Sequence, residues 1–156
     1  VLGSRHPTVA DLHSLPYTLQ VIKEVLRLYP PAPFYVRDAL GADTLDGYPI
    51  APGSAIMLSP YYTHRHPDFW DDPLRFDPDR WTPERESARH PYAYHPFATG
   101  QRVCIGNNFS LLESHLLLAL LASRFEPRLI DGYTPRWEMR GVLGTANGLP
   151  MRIVAR

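Results

Sequence analysis

The sequence predicts a mainly α chain with small antiparallel β-sheets and much ordered coil, an α+β segment. Three observations predict it. Leucine recurs through residues 107–124 with nothing to break a helix. Most of the 17 prolines fall before residue 100, where each interrupts helices and sheet ladders alike. Short aromatic or β-branched runs, set off by Gly and Asp turn signals, lie on both sides of that coil.

Val1-Leu2-Gly3 reads as the end of a helix, so chain is expected upstream of it. Ser14-Leu15-Pro16 is a helix start, with Ser14 as N-cap and proline in the first turn. From there Ile22, Val25, Leu26 and Tyr29 recur at helical spacing and predict one buried stripe. Pro30-Pro31 ends it. Phe34-Tyr35-Val36 is strand-like and Asp46-Gly47 is a hairpin turn. Tyr48-Pro49-Ile50 then leads through Pro52-Gly53 into Ala55–Leu58, and the whole reads as one small antiparallel sheet.

Residues 59–96 mix proline, aromatics and charge without a sustained period, and Asp71-Asp72-Pro73 and Phe76-Asp77-Pro78 mark turns. The helix after Gly106 carries Phe109, Leu112, Leu116, Ala119 and Leu120 on one side. Being apolar nearly all round, it is expected to be buried. Beyond Arg124, Phe125–Leu129 and Met151–Ala155 read as strands, with a hairpin over 141–148 between them.

At 156 residues the chain is long enough for one domain with a real core, and 44% hydrophobic with 21% charged residues is ordinary for a globular protein. Lys+Arg and Asp+Glu both count 16. No global field therefore draws it to nucleic acid, and none is expected as a partner. No segment approaches the ~20 apolar residues that span a bilayer, and no signal peptide is expected among these residues. The expectation is a soluble, cytoplasmic protein, with an upstream membrane anchor left open. A single cysteine forms no internal disulfide; most such residues are small buried hydrophobes, and context decides the exceptions.

The context is Phe97-Ala-Thr-Gly100-Gln-Arg102-Val-Cys104-Ile-Gly106. Gly100 permits a tight or left-handed turn before the cysteine, and Gly106 lets the backbone pass close to something large. Cys104 sits just before the N-terminus of the leucine-rich helix. The dipole and unpaired N–H groups there attract negative charge, which suits a sulfur anion. Arg102 adds a positive charge two residues away.

These residues match Phe-x-x-Gly-x-Arg-x-Cys-x-Gly, and the sequence resembles the cytochrome P450 family through this haem-binding signature, with all five fixed positions met. Two further family features occur in order: Glu24-Val25-Leu26-Arg27 on the first helix, and Phe76-Asp77-Pro78-Asp79-Arg80-Trp81 in the coil. The match runs over nearly the whole chain but over only the last third or so of a family member. Residues 1–156 are therefore expected to be the C-terminal haem-binding part of such a domain.

The resemblance implies haem b as cofactor, Cys104 as its thiolate metal ligand and Phe97 packed beside the sulfur. It implies Arg102 and Arg37 on the propionates, with Gly100 shaping the loop and backbone N–H groups near Ile105 and Gly106 donating to the sulfur. Glu24, Arg27 and Arg80 would lock the core and take no part in the chemical step. Trp81 stands where the family often has Phe. His64 is expected to be structural or solvated. Ala32 to Val36 and the Leu143 to Asn147 turn would face substrate.

The implied parent activity is a haem-thiolate monooxygenase. It would insert an oxygen atom from O2 into a hydrophobic small molecule, using electrons from a ferredoxin or flavin reductase docking near the Cys104 loop. The rival within the resemblance is an inactive haem-binding or structural remnant, because the family's acid–alcohol pair for oxygen activation is not in this sequence. Zinc fits less well, since His64/His66 and His90/His95 form no four-ligand spacing with Cys104. A Cys–His hydrolase lacks an orienting third residue.

Overall fold

A computed structural model describes residues 2, 3 and 5–156; Val1, where the sequence suggested a helix end, lies outside them. The first long helix, α1, spans Pro16–Leu28 with Pro16 in its first turn. Its N-cap is Leu15 and not Ser14, because Ser14 is taken up as the last residue of a 3₁₀ turn, Val9–Ser14. No side chain caps α1.

The buried face of α1 is Ile22, Glu24, Arg27 and Leu28. The predicted stripe is therefore only partly right, for Val25 is 42% and Tyr29 37% exposed. Glu24 and Arg27 are both fully buried. A buried charge pair needs partners on every side, and this helix turns to supply them. Tyr29 stacks instead on Trp137, with centroids 4.4 Å apart.

The predicted single sheet is two. β1 (Tyr35–Asp38) pairs antiparallel with β4 (Ala55–Leu58), Arg37 opposite Ile56. Between them β2 (Asp43–Leu45) and β3 (Tyr48–Ile50) form their own hairpin. It turns at Asp46 and Gly47, with φ +49° and +80°, the positive pair that a two-residue hairpin demands. Pro49 sits opposite Thr44 and has no N–H to offer a further strand, which keeps the hairpin separate.

The proline-rich stretch is more regular than its lack of period suggests. α2 (Pro60–Thr63), the 3₁₀ turn Pro78–Trp81 and α3 (Pro83–Ser87) each begin on a proline, where a missing N–H costs nothing. Asp77 caps the 3₁₀ turn by accepting from Asp79 N. Trp70, Trp81 and Ala93 form a buried cluster with Tyr94 beside it.

Glu24, Arg27 and Arg80 join this coil to α1. All five N–H groups of Arg27 find acceptors: both Glu24 oxygens at 2.8 Å, the His64 and Pro73 carbonyls at 2.8 and 2.7 Å, and the Arg75 carbonyl at 3.0 Å. Arg80 Nε lies 3.5 Å from Glu24 Oε1, and its Nη2 donates to the Asp72 carbonyl at 2.8 Å. The backbone carbonyls so used belong to coil that cannot satisfy them by itself.

Trp81 is more than a tolerated aromatic. Its indole Nε1–H donates to Glu24 Oε2 at 3.0 Å, a bond that phenylalanine cannot make. Its ring also faces Arg89, whose guanidinium lies 4.3 Å from the Trp70 centroid and 4.4 Å from that of Trp81. Trp81→Phe keeps a ring for Arg89 and removes the donor, so it is expected to cost about 1–3 kcal/mol of stability, read by thermal unfolding.

The last long helix, α4, spans Asn107–Arg124. Its buried residues are His115 and Ala119, while Phe109 is 68% and Leu121 52% exposed. The expectation of all-round burial is thus not met within this chain: α1 and the Val9–Ser14 turn cover one side only. His115, a polar residue on a leucine-rich helix, donates to the Leu15 carbonyl at 2.9 Å and ties α4 to the head of α1. β5 (Phe125–Leu129) pairs with β8 (Met151–Ala155) as predicted. The intervening hairpin is β6 (Trp137–Arg140) with β7 (Val142–Thr145), turning at Gly141 rather than running over 141–148. Among the described residues no helix is long and apolar enough to cross a membrane.

Candidate functional site

The loop ahead of α4 is closed by its backbone. Cys104 N donates to the Phe97 carbonyl at 2.9 Å, Val103 N to Gly100 O at 3.1 Å, and Asn107 N to Cys104 O at 3.3 Å. Gly100 has φ +71°, the left-handed conformation expected of it, and opens a 3₁₀ turn, Gly100–Arg102. Cys104 is left exposed at the mouth of the 18-residue α4, and Ile105 is fully exposed beside it.

Gly106 has φ −83°, open to any residue, so its backbone does not demand glycine. A Cβ there would sit 3.7 Å from Cys104 Sγ. What a side chain at 106 would obstruct is the approach to the sulfur. Phe97 is partly buried and meets Cys104 through its carbonyl. The expected backbone donors to the sulfur are not engaged, for among the described residues Sγ accepts no hydrogen bond.

Ala98 also has a left-handed backbone, φ +60°. A Cβ in that region costs about 1–2 kcal/mol, and glycine returns part of the gain as extra entropy of the unfolded chain. Ala98→Gly is therefore expected to raise stability by about 0.5–1 kcal/mol, measured by chemical unfolding.

Two arginines have uncommitted donors. Arg102 is exposed and has no acidic partner among the described residues. Arg37, on β1, lies 4.9 Å from the Tyr35 ring centroid and donates Nη1 to the Val36 carbonyl, while its Nη2 is buried with no partner among the described residues. A buried guanidinium nitrogen without an acceptor is costly, and a carboxylate is the group that best relieves it. An exposed sulfur, an uncrowded Gly106 and two uncommitted guanidinium edges fit a haem with carboxylate arms.

Sequence reasoning passed over the polar groups behind the loop. Tyr35 OH lies 3.3 Å from His95 Nδ1, and the His95 amide donates to His64 Nε2 at 2.8 Å. Strand alternation places Tyr35 on the face of Arg37, and His95 stands two residues before Phe97, but neither position in the sequence names its partner. His64 is fully buried and is structural, not solvated. The turn expected to face substrate meets the chain just ahead of the other such segment, Leu143 N donating at 2.9 Å to the carbonyl of Pro31, which precedes Ala32.

Burial pushes the His64 imidazole down from its ordinary 6.5 to about 3, with the neighbouring His95 adding to the effect. The unfolded chain therefore binds the extra proton. This contribution to stability is complete above pH 6.5 and is lost as pH falls toward about 3, by up to ~1.4 kcal/mol per pH unit. Unfolding free energy measured from pH 7 to pH 4 is expected to fall, and a His64→Gln variant to lose this part of the slope.

The family profile described as cytochrome P450 matches residues 1–149. Cyclooctatin synthase of Streptomyces melanosporofaciens is 41% identical over 96% of this chain and 33% of its own length. LUTEIN DEFICIENT 5, a chloroplastic protein of Arabidopsis thaliana, is 36% identical over 100% of this chain and 27% of its own. Among solved structures, the haem domain of cytochrome P450DA superposes with a TM-score of 0.92 at 32% identity, covering 99% of this chain and 34% of that one. The chain thus spans about a third of the length of the relatives it matches. The signature around Cys104, the Glu24–Arg27–Arg80 lock, the match over nearly every residue and the shared fold lead to one assignment: the chain belongs to the cytochrome P450 family.

Proposed function

We propose that residues 1–156 are the C-terminal haem-binding part of a monooxygenase, with Cys104 as the thiolate ligand of the iron. The observation that carries this reading is the exposed Cys104 at the head of α4, in a loop whose own hydrogen bonds leave the sulfur unencumbered. Haem b bound there supplies the dioxygen chemistry, and a thiolate ligand favours O–O cleavage.

The chain's own residues hold and insulate that group. Arg37 and Arg102 bind its carboxylates, Arg37 through the buried Nη2 that has no other partner. Phe97, with Gly100, Ile105 and Gly106, shapes the floor around the sulfur and excludes water from it. Glu24, Arg27 and Arg80 fix the coil against α1 and stay outside the reaction. Ala32 to Val36 and the Leu143 to Asn147 turn border the substrate side.

The substrate is a hydrophobic organic molecule. Phe34 and Val36 are 40% and 44% exposed on that side. Relatives bear the names cyclooctat-9-en-7-ol 5-monooxygenase and carotene epsilon-monooxygenase, whose named substrates are hydrocarbon-rich. Electrons come from a ferredoxin or flavin reductase docking near the Cys104 loop. Supplied with such a donor, the haem-loaded protein is expected to place one atom of labelled dioxygen in the product, read by mass spectrometry. Haem binding without label in any apolar substrate would favour the inactive remnant instead.

A further inference from the structure

Apart from Arg27, the fully buried side chains of the lock region include one imidazole that neither the signature nor the lock uses. His64 closes α2, its N–H donating to Pro60 O at 2.9 Å. Its carbonyl accepts Arg27 Nη1 at 2.8 Å. Its ring lies between the rings of Tyr94 and His95, each 5.1 Å away. Its Nε2 accepts the His95 N–H at 2.8 Å. Nδ1 forms no hydrogen bond of good geometry among the described residues.

Two fixed points are thus joined through one residue. On one side stands the Arg27–Glu24 pair, completely buried. On the other is the backbone of His95, which leads through Pro96 to Phe97, whose carbonyl accepts the Cys104 N–H. One path from Glu24 to Cys104 runs Glu24, Arg27, His64, His95, Phe97, Cys104, with His64 joining the lock to the cysteine loop; Tyr94, whose hydroxyl donates to the Lys23 carbonyl at 3.2 Å, ties the neighbouring residue to α1. Loop backbone needs such an anchor, since its N–H groups have no strand or helix to satisfy them. An acceptor at Nε2 requires a neutral ring, and burial keeps His64 neutral.

We propose that His64 is a positioning residue for Cys104: its Nε2 holds the His95 amide and carries the rigidity of the Glu24–Arg27 lock into the loop that sets the sulfur. The inference rests on the reading of Cys104 as a haem thiolate. A residue that merely filled space would be replaceable by any side chain of similar volume. One that works as an acceptor is replaceable only by another acceptor.

The test compares His64→Leu with His64→Gln in the haem-loaded protein. The readouts are the reduced, carbon monoxide-bound absorption spectrum and hydrogen exchange at the His95 amide. His64→Leu is expected to fold, to exchange the His95 amide at least ~10-fold faster, since a lost bond of ~1.4 kcal/mol gives that factor, and to move much of the red-shifted thiolate-type band to the thiol-type position. His64→Gln, whose amide oxygen reaches the Nε2 position, is expected to recover both. Should His64→Leu not fold, His64→Phe supplies the same comparison with a ring and no acceptor nitrogen. A folded Leu or Phe variant with the wild-type band and exchange rate would overturn the proposal, and so would a Gln variant no better than Leu. A wild-type protein without the red-shifted band would instead sink the thiolate reading, and the two failures are distinct.

Discussion

Glu24→Ala is expected to cost about 3–5 kcal/mol of stability, the range for removing one partner of a buried ion pair, and to leave much of the chain unfolded at 37 °C. Glu24 Oε1 and Oε2 together accept from Arg27 Nε and Nη2, from Trp81 Nε1 and from Asp77 N. Without the carboxylate, the fully buried Arg27 charge keeps three backbone carbonyls and the Trp70 ring, 5.0 Å from its guanidinium carbon, but no counter-charge bonded to it. The expense lies in that stranded charge more than in the lost bonds. Arg80→Ala should cost less, because Arg80 keeps some exposure and stands 3.5 Å from Glu24. Equilibrium urea unfolding checks both. A Glu24→Ala chain within ~1 kcal/mol of wild type would contradict the lock, and an Arg80→Ala protein that folded normally and lost only turnover would contradict its structural assignment.

Cys104→Ala is expected to act in the opposite way, removing thiolate-ligated haem while sparing the fold. The side chain is exposed, and the loop is closed by backbone bonds from Phe97, Gly100 and Cys104 that alanine retains. Unfolding free energy should stay within about 0.5 kcal/mol, as for surface substitutions. Any haem still held through Arg37 and Arg102 should show no thiolate signature. Haem titration followed by absorption spectroscopy separates the two effects. A variant that kept a thiolate-type spectrum would remove Cys104 from the site.

The contrast shows which parts of the molecule were legible in the sequence and why. The cysteine loop announces itself because closing it needs Gly100 in a left-handed turn and a cysteine just ahead of a helix, which are local demands. The Asp46-Gly47 hairpin and the β5 and β8 strands were readable for the same reason. Burial on α1 was not, because periodicity counts apolar residues and this helix buries an ion pair. The exposure of α4 was not, because a leucine-rich surface does not say what covers it. Trp81, His95 and Tyr35 were missed because their partners lie 57, 31 and 60 residues away. A hydrogen bond across that separation leaves no spacing to read.

The reduced, carbon monoxide-bound absorption spectrum of the haem-reconstituted protein tests the central claim most directly. A strongly red-shifted, thiolate-type Soret band, absent from Cys104→Ala, is the result predicted. A band at the position of imidazole- or thiol-ligated haem in the wild type, unchanged by that substitution, would contradict it.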